Sequence, residues 1–251
     1  MRKAYITLYY KLQNNHFYER ERSVYDIYTK KIQDYQKSYA DSVGADYICY
    51  GNDIVDDFWN NRKYSNDLEP YLKVLLCKFC IIDDAFKQGY DKVAFTDFDV
   101  LPIPLTPNIF LKDGDWINDI DDLTKPLNQS QVKVFSHIKS QYEKLGLPAT
   151  CLPDGGCYII SKHYWQRFDF YKYLDEFLDL VLERLGEFDG WIAHDETYLA
   201  YLINKGLIHT TPFGLMNDVR WEKSSYQDDI CKGGLFHFYN KDEFKLYLEN
   251  D

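Results

Sequence analysis

The chain has 251 residues, which is enough for one large α/β domain with a substantial core. Its composition, 45% hydrophobic and 27% charged residues, is that of a globular protein and excludes a disordered chain. The formal net charge of -11 repels phosphate backbones and anionic membranes, which argues against non-specific nucleic-acid binding.

The first residues of the chain have the pattern of a strand. They lack the apolar stretch and the small-residue cleavage site of a signal peptide, and no apolar run approaches the roughly 20 residues that a membrane span requires. We therefore expect a soluble, cytoplasmic protein without a membrane span.

The opening pattern predicts a β-α-β unit. Lys3 to Tyr9 is a strand, and apolar positions spaced by three or four predict a helix that begins at Ser23. Ser23 with Asp26 forms a capping box at its start, and Gly44 ends it. Ala45 to Tyr50 follows as a short strand. Such a unit is typical of a parallel sheet with a right-handed crossover.

A second helix and a buried strand follow a polar, aromatic loop over Gly51 to Asp67. The helix begins at Pro70 and has one apolar face. Lys92 to Thr96 is then a buried strand, and its end leads directly into Asp97 and Asp99. In an open parallel sheet, the carboxyl ends of the strands form the edge where ligands bind.

The second half of the chain has weaker periodicity. Leu101 to Pro153 is rich in Pro, Asn and Asp, so we expect loops with short irregular elements there. The later elements are predicted as a strand at Cys157 to Ser161, a helix from Tyr164 to Leu185, a helix from Asp195 to Asn204 and a strand at Leu235 to Phe238. This order favours an α/β fold with a mostly parallel central sheet flanked by helices.

Asp97 and Asp99 are the first candidates for chemistry. Two carboxylates at i and i+2, where a strand leaves a sheet, can point to the same side once the chain turns. They then form a hard oxygen site that shares a divalent cation with substrate phosphates. The short motif also fits a solvated turn, so its context decides between the two interpretations.

The context is a resemblance to a known family. The stretch from Gly89 to Pro102, an apolar strand that leads from a helix into the Asp pair, resembles the Asp-x-Asp block of GT-A glycosyltransferases. The pattern is nearest to retaining members similar to glycogenin and galactosyltransferases. The resemblance implies a single GT-A (Rossmann-like) domain over residues 1–251, with a nucleotide-binding half at 1–100 and an acceptor-binding half at 101–251.

The resemblance also assigns the metal and the donor sugar. Asp97 and Asp99 would bind Mn²⁺ or Mg²⁺, with Asp97 also in contact with the donor. The segment around Gly155 and Gly156 resembles the one in which paired glycines let the backbone approach the donor sugar. Asp154 stands where the family commonly has Asn, and it is included in the predicted donor site.

A second acidic pair is the candidate for catalysis. His194 to Leu199 resembles the acidic segment that begins a helix beside the reacting sugar in this family. There, Asp195 or Glu196 could act as general base on the acceptor hydroxyl or stabilise positive charge at the anomeric carbon. Both acids are also favourable at a helix N-terminus for electrostatic reasons that involve no substrate.

The segment from Leu235 to Lys241 resembles the element of retaining GT-A enzymes in which a His completes the metal shell and a Lys binds the diphosphate. This assigns His237 to the metal and Lys241 to the donor. The match is partial, because the Lys is closer to the His than in the family and no Pro-Trp follows.

Four further residues are candidates for donor contacts. Tyr9 and Tyr10 leave the first strand where GT-A proteins hold the nucleobase, so stacking on that base is expected of them. Lys73 and Lys78 lie on the helix before the Asp pair, within reach of donor phosphates. A surface lysine that extends along its helix into solvent is the simpler interpretation of either lysine.

These assignments predict a metal-dependent glycosyltransferase, a hexosyl- or pentosyltransferase, that uses a nucleoside-diphosphate sugar. Its hydroxyl acceptor could be a glycan, a lipid-linked sugar, a protein, a small molecule or a hydroxylated DNA base, although the negative charge argues against DNA. Two other classes stay open. A metal-dependent nucleotidyltransferase or phosphohydrolase also uses paired carboxylates, and a non-catalytic carbohydrate-binding protein would account for the aromatic share of 18%.

Overall fold

The computed structural model describes most of the chain, and its first hundred residues contain both strands and helices. The described residues are 1–11, 19–60, 62–118, 120–122, 136, 139–148, 151–183, 194–218, 234–238 and 240–250.

The chain opens with the predicted β-α-β unit. Strand β1 is Lys3–Leu8, helix α1 is Glu19–Ser42 and strand β2 is Asp46–Tyr50, and the two strands pair in parallel. Helix α1 begins before Ser23, so the predicted capping box at that residue is wrong. The cause is local, since the preceding residues 19–22 are Glu and Arg, which have high helix propensity and extend the helix.

Two helices and a buried strand complete the first hundred residues. Helix α2 is Asn52–Asn60, helix α3 is Pro70–Lys87 and strand β3 is Lys92–Thr96. The prediction of a loop throughout 51–67 is therefore wrong. Helix α2 forms because Val55 and Trp59, which are one turn apart, are both buried, a spacing that matches one face of a helix.

The later elements are shorter. The strands are β4 (Val100–Pro102), β5 (Trp116–Ile117), β6 (Ile120–Asp122), β7 (Cys151–Pro153), β8 (Cys157–Ser161), β9 (Met216–Asp218) and β10 (Leu235–His237). The helices are α4 (Lys162–Trp165), α5 (Phe170–Leu182), α6 (Asp195–Asn204) and α7 (Lys241–Asn250).

Where the sequence predicts one helix from Tyr164 to Leu185, the structure has α4 and α5, and Leu185 itself lies outside the described residues. The helix is interrupted because Asp169 caps α5, with its carboxylate accepting a hydrogen bond of 3.1 Å from the Lys172 backbone N–H. Helix α6 has the predicted limits.

The central sheet has five strands in the order β2-β1-β3-β8-β5. Strands β1, β2 and β3 are parallel, whereas β8 pairs antiparallel with both β3 and β5, so four of the five strands point in one direction. The mostly parallel sheet of the predicted α/β fold is confirmed.

Alternate residues of the sheet pack against helices on its two faces. Phe95 and Tyr158 lie in a core cluster with residues of α3, α5 and α6. Ala94 and Ile159 belong to a second cluster on the other face, together with residues of α1. Because both faces are covered, the central strands β3 and β8 are buried along their whole length, as expected for this fold class. None of the described helices is long and apolar enough to cross a bilayer.

A second, three-stranded sheet lies beside the carboxyl end of β3. Its order is β4-β10-β9, and β10 runs antiparallel to β4 with His237 opposite Val100. This pairing brings the carboxyl-terminal part of the chain to the edge where β3 ends.

Candidate active site

Two aspartates and a histidine meet at the end of β3. Asp97, Asp99 and His237 each offer one ligand atom, and these atoms lie within 4.8 Å of one another. Asp99 and His237 are buried, whereas Asp97 is half-buried. Carboxylate oxygens together with one imidazole nitrogen suit a divalent cation such as Mn²⁺ or Mg²⁺. The cluster contains all three residues that the sequence assigns to the metal.

Backbone pairing creates this cluster. A turn follows β3, in which the Val100 N–H donates to the Asp97 carbonyl at 3.0 Å. The chain then pairs with β10, and the Phe238 N–H donates to the Asp99 carbonyl at 3.1 Å. As a result, His237 Nε2 lies 3.5 Å from Asp99 Oδ1, although the two residues are 138 positions apart in the sequence.

The carboxylate of Asp99 has two different partners. One oxygen contacts the ammonium of Lys241, and the other faces His237. Burial acts to raise the pKa of Asp99, but Lys241 and His237 outweigh it and hold that pKa well below its usual range. Asp99 is therefore ionised at neutral pH, which a metal ligand requires.

Asp97 is bound to a buried lysine, Lys78 of α3. The Lys78 ammonium lies 2.8 Å from Asp97 Oδ1 and 2.8 Å from Asp195 Oδ2. Burial raises the pKa of Asp97 to about 6, since it outweighs the opposite effect of Lys78. With a side chain only 5% exposed, Lys78 is not the surface lysine that the sequence favoured.

A sequence signal for the buried position of Lys78 does exist. Lys78 stands within the apolar stretch of α3, directly between the buried residues Cys77 and Phe79. A lone charge in such a stretch is expected to be buried only if it is paired. The acids that pair with it are 19 and 117 positions away, so pattern reasoning does not identify them.

The second acidic pair begins helix α6. Asp195 Oδ2 accepts hydrogen bonds from Lys78 and, at 3.1 Å, from the Tyr158 hydroxyl. Burial acts to raise the pKa of Asp195, but Lys78 and His194 outweigh it and hold the pKa at about 2. By contrast, burial raises the pKa of Glu196 to about 7, with Asp195 adding to the effect and His194 opposing it. Of this acidic pair, Glu196 is thus the acid that can exchange a proton near neutral pH.

A glycine turn passes between these groups. The Gly156 carbonyl accepts from the Asp97 N–H at 2.9 Å, and the Gly155 carbonyl accepts from Lys78 Nζ at 2.9 Å. A methyl group on Gly155 would lie 2.6 Å from Asp195 Oδ2, and one on Gly156 would lie 2.8 Å from His237 Nδ1. Only glycine fits this turn without displacing an acid or the histidine.

The remaining predicted site residues lie at the margin of the cluster. Lys241, the first residue of α7, donates to the Phe238 carbonyl at 2.8 Å as well as to Asp99. The ring of Tyr9 stacks on Phe98, between the two aspartates of the motif, with centroids 4.7 Å apart. One face of that ring is therefore already covered.

Tyr10 and Lys73 are not joined to the acid cluster. The hydroxyl of Tyr10 is 3.2 Å from Asp56 Oδ1 of α2, and Lys73 is half-buried one and a half turns before Lys78 on α3. Among the described residues, neither side chain hydrogen-bonds to the cluster. Asp154 lies next to it, since it precedes the glycine turn and its carboxylate accepts from the Gly156 N–H.

Comparison with known proteins gives similarity in structure only. No protein-family model matches the sequence, and no curated protein matches it. The fold is similar to that of a glycosyltransferase involved in glycosylation of the major capsid of PBCV-1, with 11% identity, 99% of each chain covered and a TM-score of 0.52.

An active-site mutant of LgtC, a galactosyltransferase, is also similar. It is 12% identical, the match covers 98% of this chain and 95% of that one, and the TM-score is 0.54. Identities this low establish the fold alone. The chain therefore has the fold of GT-A glycosyltransferases, as its resemblance to them implies, with an Asp-x-Asp pair at the carboxyl edge of the central sheet.

Proposed function

We propose that the protein is a metal-dependent glycosyltransferase that moves a sugar from a nucleoside-diphosphate sugar to a hydroxyl acceptor. The observation that carries this proposal is the convergence of Asp97, Asp99 and His237, next to a glycine turn that packs directly against Asp195 and His237. These three residues would hold a divalent cation such as Mn²⁺ or Mg²⁺, which would supply positive charge to a departing diphosphate.

The chain divides into two functional halves in this proposal. Residues 1–100 contain the parallel strands β1, β2 and β3 and bind the nucleotide, with Tyr9 and Tyr10 beside the base. Residues 101–251 bind the acceptor. Lys241 and Lys73 are assigned to the donor phosphates, and the ammonium of Lys241 is within contact of a metal ligand, where a diphosphate oxygen would also lie.

The glycine turn and the acids of α6 are assigned to the donor sugar. Gly155 and Gly156 let the sugar approach the backbone, while Asp154 contacts its hydroxyl groups. Asp195, ionised and fixed by Lys78, stabilises positive charge at the anomeric carbon.

Glu196 is assigned the proton transfer. As the bond from the anomeric carbon to the diphosphate oxygen breaks, its electron pair leaves with the diphosphate, and the acceptor oxygen forms the new bond to that carbon. The acceptor hydroxyl gives its proton to the carboxylate of Glu196, whose pKa of about 7 suits acceptance and later release.

The test is a set of nucleotide sugars incubated with the protein, Mn²⁺ or Mg²⁺, and simple sugar acceptors. We expect release of free nucleoside diphosphate together with a glycosylated product, both dependent on metal. Release of inorganic phosphate or pyrophosphate without a sugar product would instead identify a phosphohydrolase or nucleotidyltransferase. Glycan binding that needs neither metal nor nucleotide would identify a carbohydrate-binding protein.

A further inference from the structure

Asn118 is a buried residue whose side chain reaches the glycine turn. It directly follows β5 and is 0% exposed. Its amide nitrogen Nδ2 lies 2.7 Å from the Asp154 carbonyl and 2.9 Å from the Cys157 carbonyl. Because carbonyl oxygens can only accept, the amide must present its nitrogen to both, which defines the orientation of the side chain.

The two carbonyls held by Asn118 stand on either side of Gly155 and Gly156. Between them, the carbonyls of the two glycines accept from Lys78 Nζ and from the Asp97 backbone N–H. The turn therefore has four anchors, two on the side of the acid cluster and two from a single amide behind it. Loss of that amide removes both side-chain contacts at the ends of the turn, while the contacts at its centre and the pairing of Cys157 with Thr96 of β3 stay in place.

The space around the turn leaves little tolerance for movement. The positions at which side-chain carbons would stand on Gly155 and Gly156 are 2.6 Å from Asp195 Oδ2 and 2.8 Å from His237 Nδ1. A small displacement of the backbone thus moves it against a candidate catalytic acid or a candidate metal ligand.

The oxygen of the Asn118 amide differs from its nitrogen. Among the described residues, the buried Oδ1 atom has no hydrogen-bond partner. An unpaired buried carbonyl is destabilising, by an amount comparable to what a hydrogen bond contributes. Among the described residues, the side-chain amide thus makes its hydrogen bonds through Nδ2, and both of them go to the turn.

We propose that Asn118 is a positioning residue of the active site, whose amide holds the ends of the Gly155–Gly156 turn and thereby sets the place of the donor sugar relative to Asp195 and His237. The proposal rests on the proposed function where it speaks of the sugar. Its geometric part, that Asn118 immobilises the turn, is independent of the reaction.

The test replaces Asn118 with Leu, which has a similar size and removes both the donors and the unpaired oxygen. Hydrogen exchange followed by mass spectrometry should show faster exchange in peptides that cover 151–160, by about 10-fold, with little change elsewhere. Turnover of the nucleotide sugar should fall by about 10- to 100-fold because a displacement of about 1 Å has effects of this size. Affinity for the nucleoside diphosphate with Mn²⁺ should change less than about threefold, since the variant leaves the metal ligands in place.

Lys92→Met is the matched control. The Lys92 ammonium also bonds two carbonyls, those of Phe110 and Lys112, at 3.3 and 3.0 Å, but at the opposite end of β3. The Lys92→Met variant should have lower thermal stability than wild type, with unchanged turnover and unchanged hydrogen exchange in residues 151–160. If Asn118→Leu does not fold, Asn118→Ala removes the same amide, and the same measurements are made on that variant.

Unchanged exchange in 151–160, or a loss of turnover in Lys92→Met as large as in the Asn118 variants, would overturn the proposal. The role of Asn118 and the proposed function are tested by different measurements. Wild-type protein that turns over no nucleotide sugar contradicts the proposed function, while the exchange data still decide whether Asn118 holds the turn.

Discussion

The ammonium of Lys78 lies 2.8 Å from Asp195 Oδ2, across 117 positions of sequence, and both side chains are at most 5% exposed. This ion pair joins α3 to the first turn of α6, and Asp97 shares the same ammonium. Burial acts to lower the pKa of Lys78, but Asp195 and Asp97 outweigh it and raise that pKa above its usual value. The lysine is therefore a permanent charge between two acids of the site.

Replacing Lys78 with Met should destabilise the protein by about 3–5 kcal/mol, since the buried carboxylate of Asp195 and the half-buried carboxylate of Asp97 lose their counter-charge. Chemical unfolding in urea measures this loss. The double variant Lys78→Met with Asp195→Asn should recover part of it, because one of the two unpaired charges is gone. Lys30→Met, which removes an exposed ion pair with Asp34, is the control and should cost less than about 1 kcal/mol. Equal losses in the two single variants would contradict the buried pairing.

Replacing Gly156 with Ala should push the new methyl group against His237, 2.8 Å from its Nδ1 atom. We expect Gly156→Ala to lower the free energy of unfolding by about 1–3 kcal/mol. We also expect the variant that stays folded to turn over substrate more slowly than wild type. Gly51→Ala is the matched control, because no atom lies within 4 Å of the position its methyl group would take. Thermal unfolding and initial rates on both variants make the comparison. A Gly156→Ala protein as active as Gly51→Ala would show that the turn is not close to the histidine.

Glu196 should make stability depend on pH. Its folded pKa is about 7 against an ordinary 4.5, so between these values the folded protein binds a proton that the unfolded chain has released. The contribution of Glu196 to stability is therefore complete below pH 4.5 and is lost as pH rises through 7. Glu196→Gln should gain stability relative to wild type at pH 8, by about 2 kcal/mol, and gain none at pH 4.

Thermal unfolding at both pH values measures the effect of Glu196, with the exposed Glu183→Gln as control. The same residue should also shape the pH profile of turnover. If Glu196 accepts the acceptor proton, wild-type turnover rises as pH passes through about 7, and Glu196→Gln loses both the rate and this rise. A variant that keeps the wild-type profile would exclude Glu196 as the base.

Replacing Asp99 with Asn should weaken Mn²⁺ binding by at least about 10-fold, because a charged ligand becomes neutral. Titration calorimetry or the electron spin resonance of free Mn²⁺ measures this without any substrate. Asp41→Asn, on the exposed side of α1, is the control and should bind Mn²⁺ like wild type. An unchanged dissociation constant in Asp99→Asn would remove Asp99 from the metal site, and retained metal-stimulated turnover would do the same.

Local sequence patterns account for most of the fold. The β-α-β unit, the buried strand β3 and the limits of α6 follow from hydrophobic periodicity and helix-end signals, which act over a few residues. Helix α7 was not predicted although its signal is present. Phe244, Tyr247 and Leu248 have helical spacing and are buried, and the Asn240 side chain accepts from the Asp242 N–H at 3.1 Å as a cap.

The sequence by itself determined the acid pair and its place at the end of a buried strand, because Asp97 and Asp99 are neighbours on one short turn. Tertiary structure decided their partners. Lys78 and Asn118 reach the site through helix packing and strand pairing, across separations that no local pattern encodes, and strand pairing also brings in His237, which the family resemblance had indicated. The effect of a buried charge or amide depends on the atoms around it, and only the folded chain brings those atoms together.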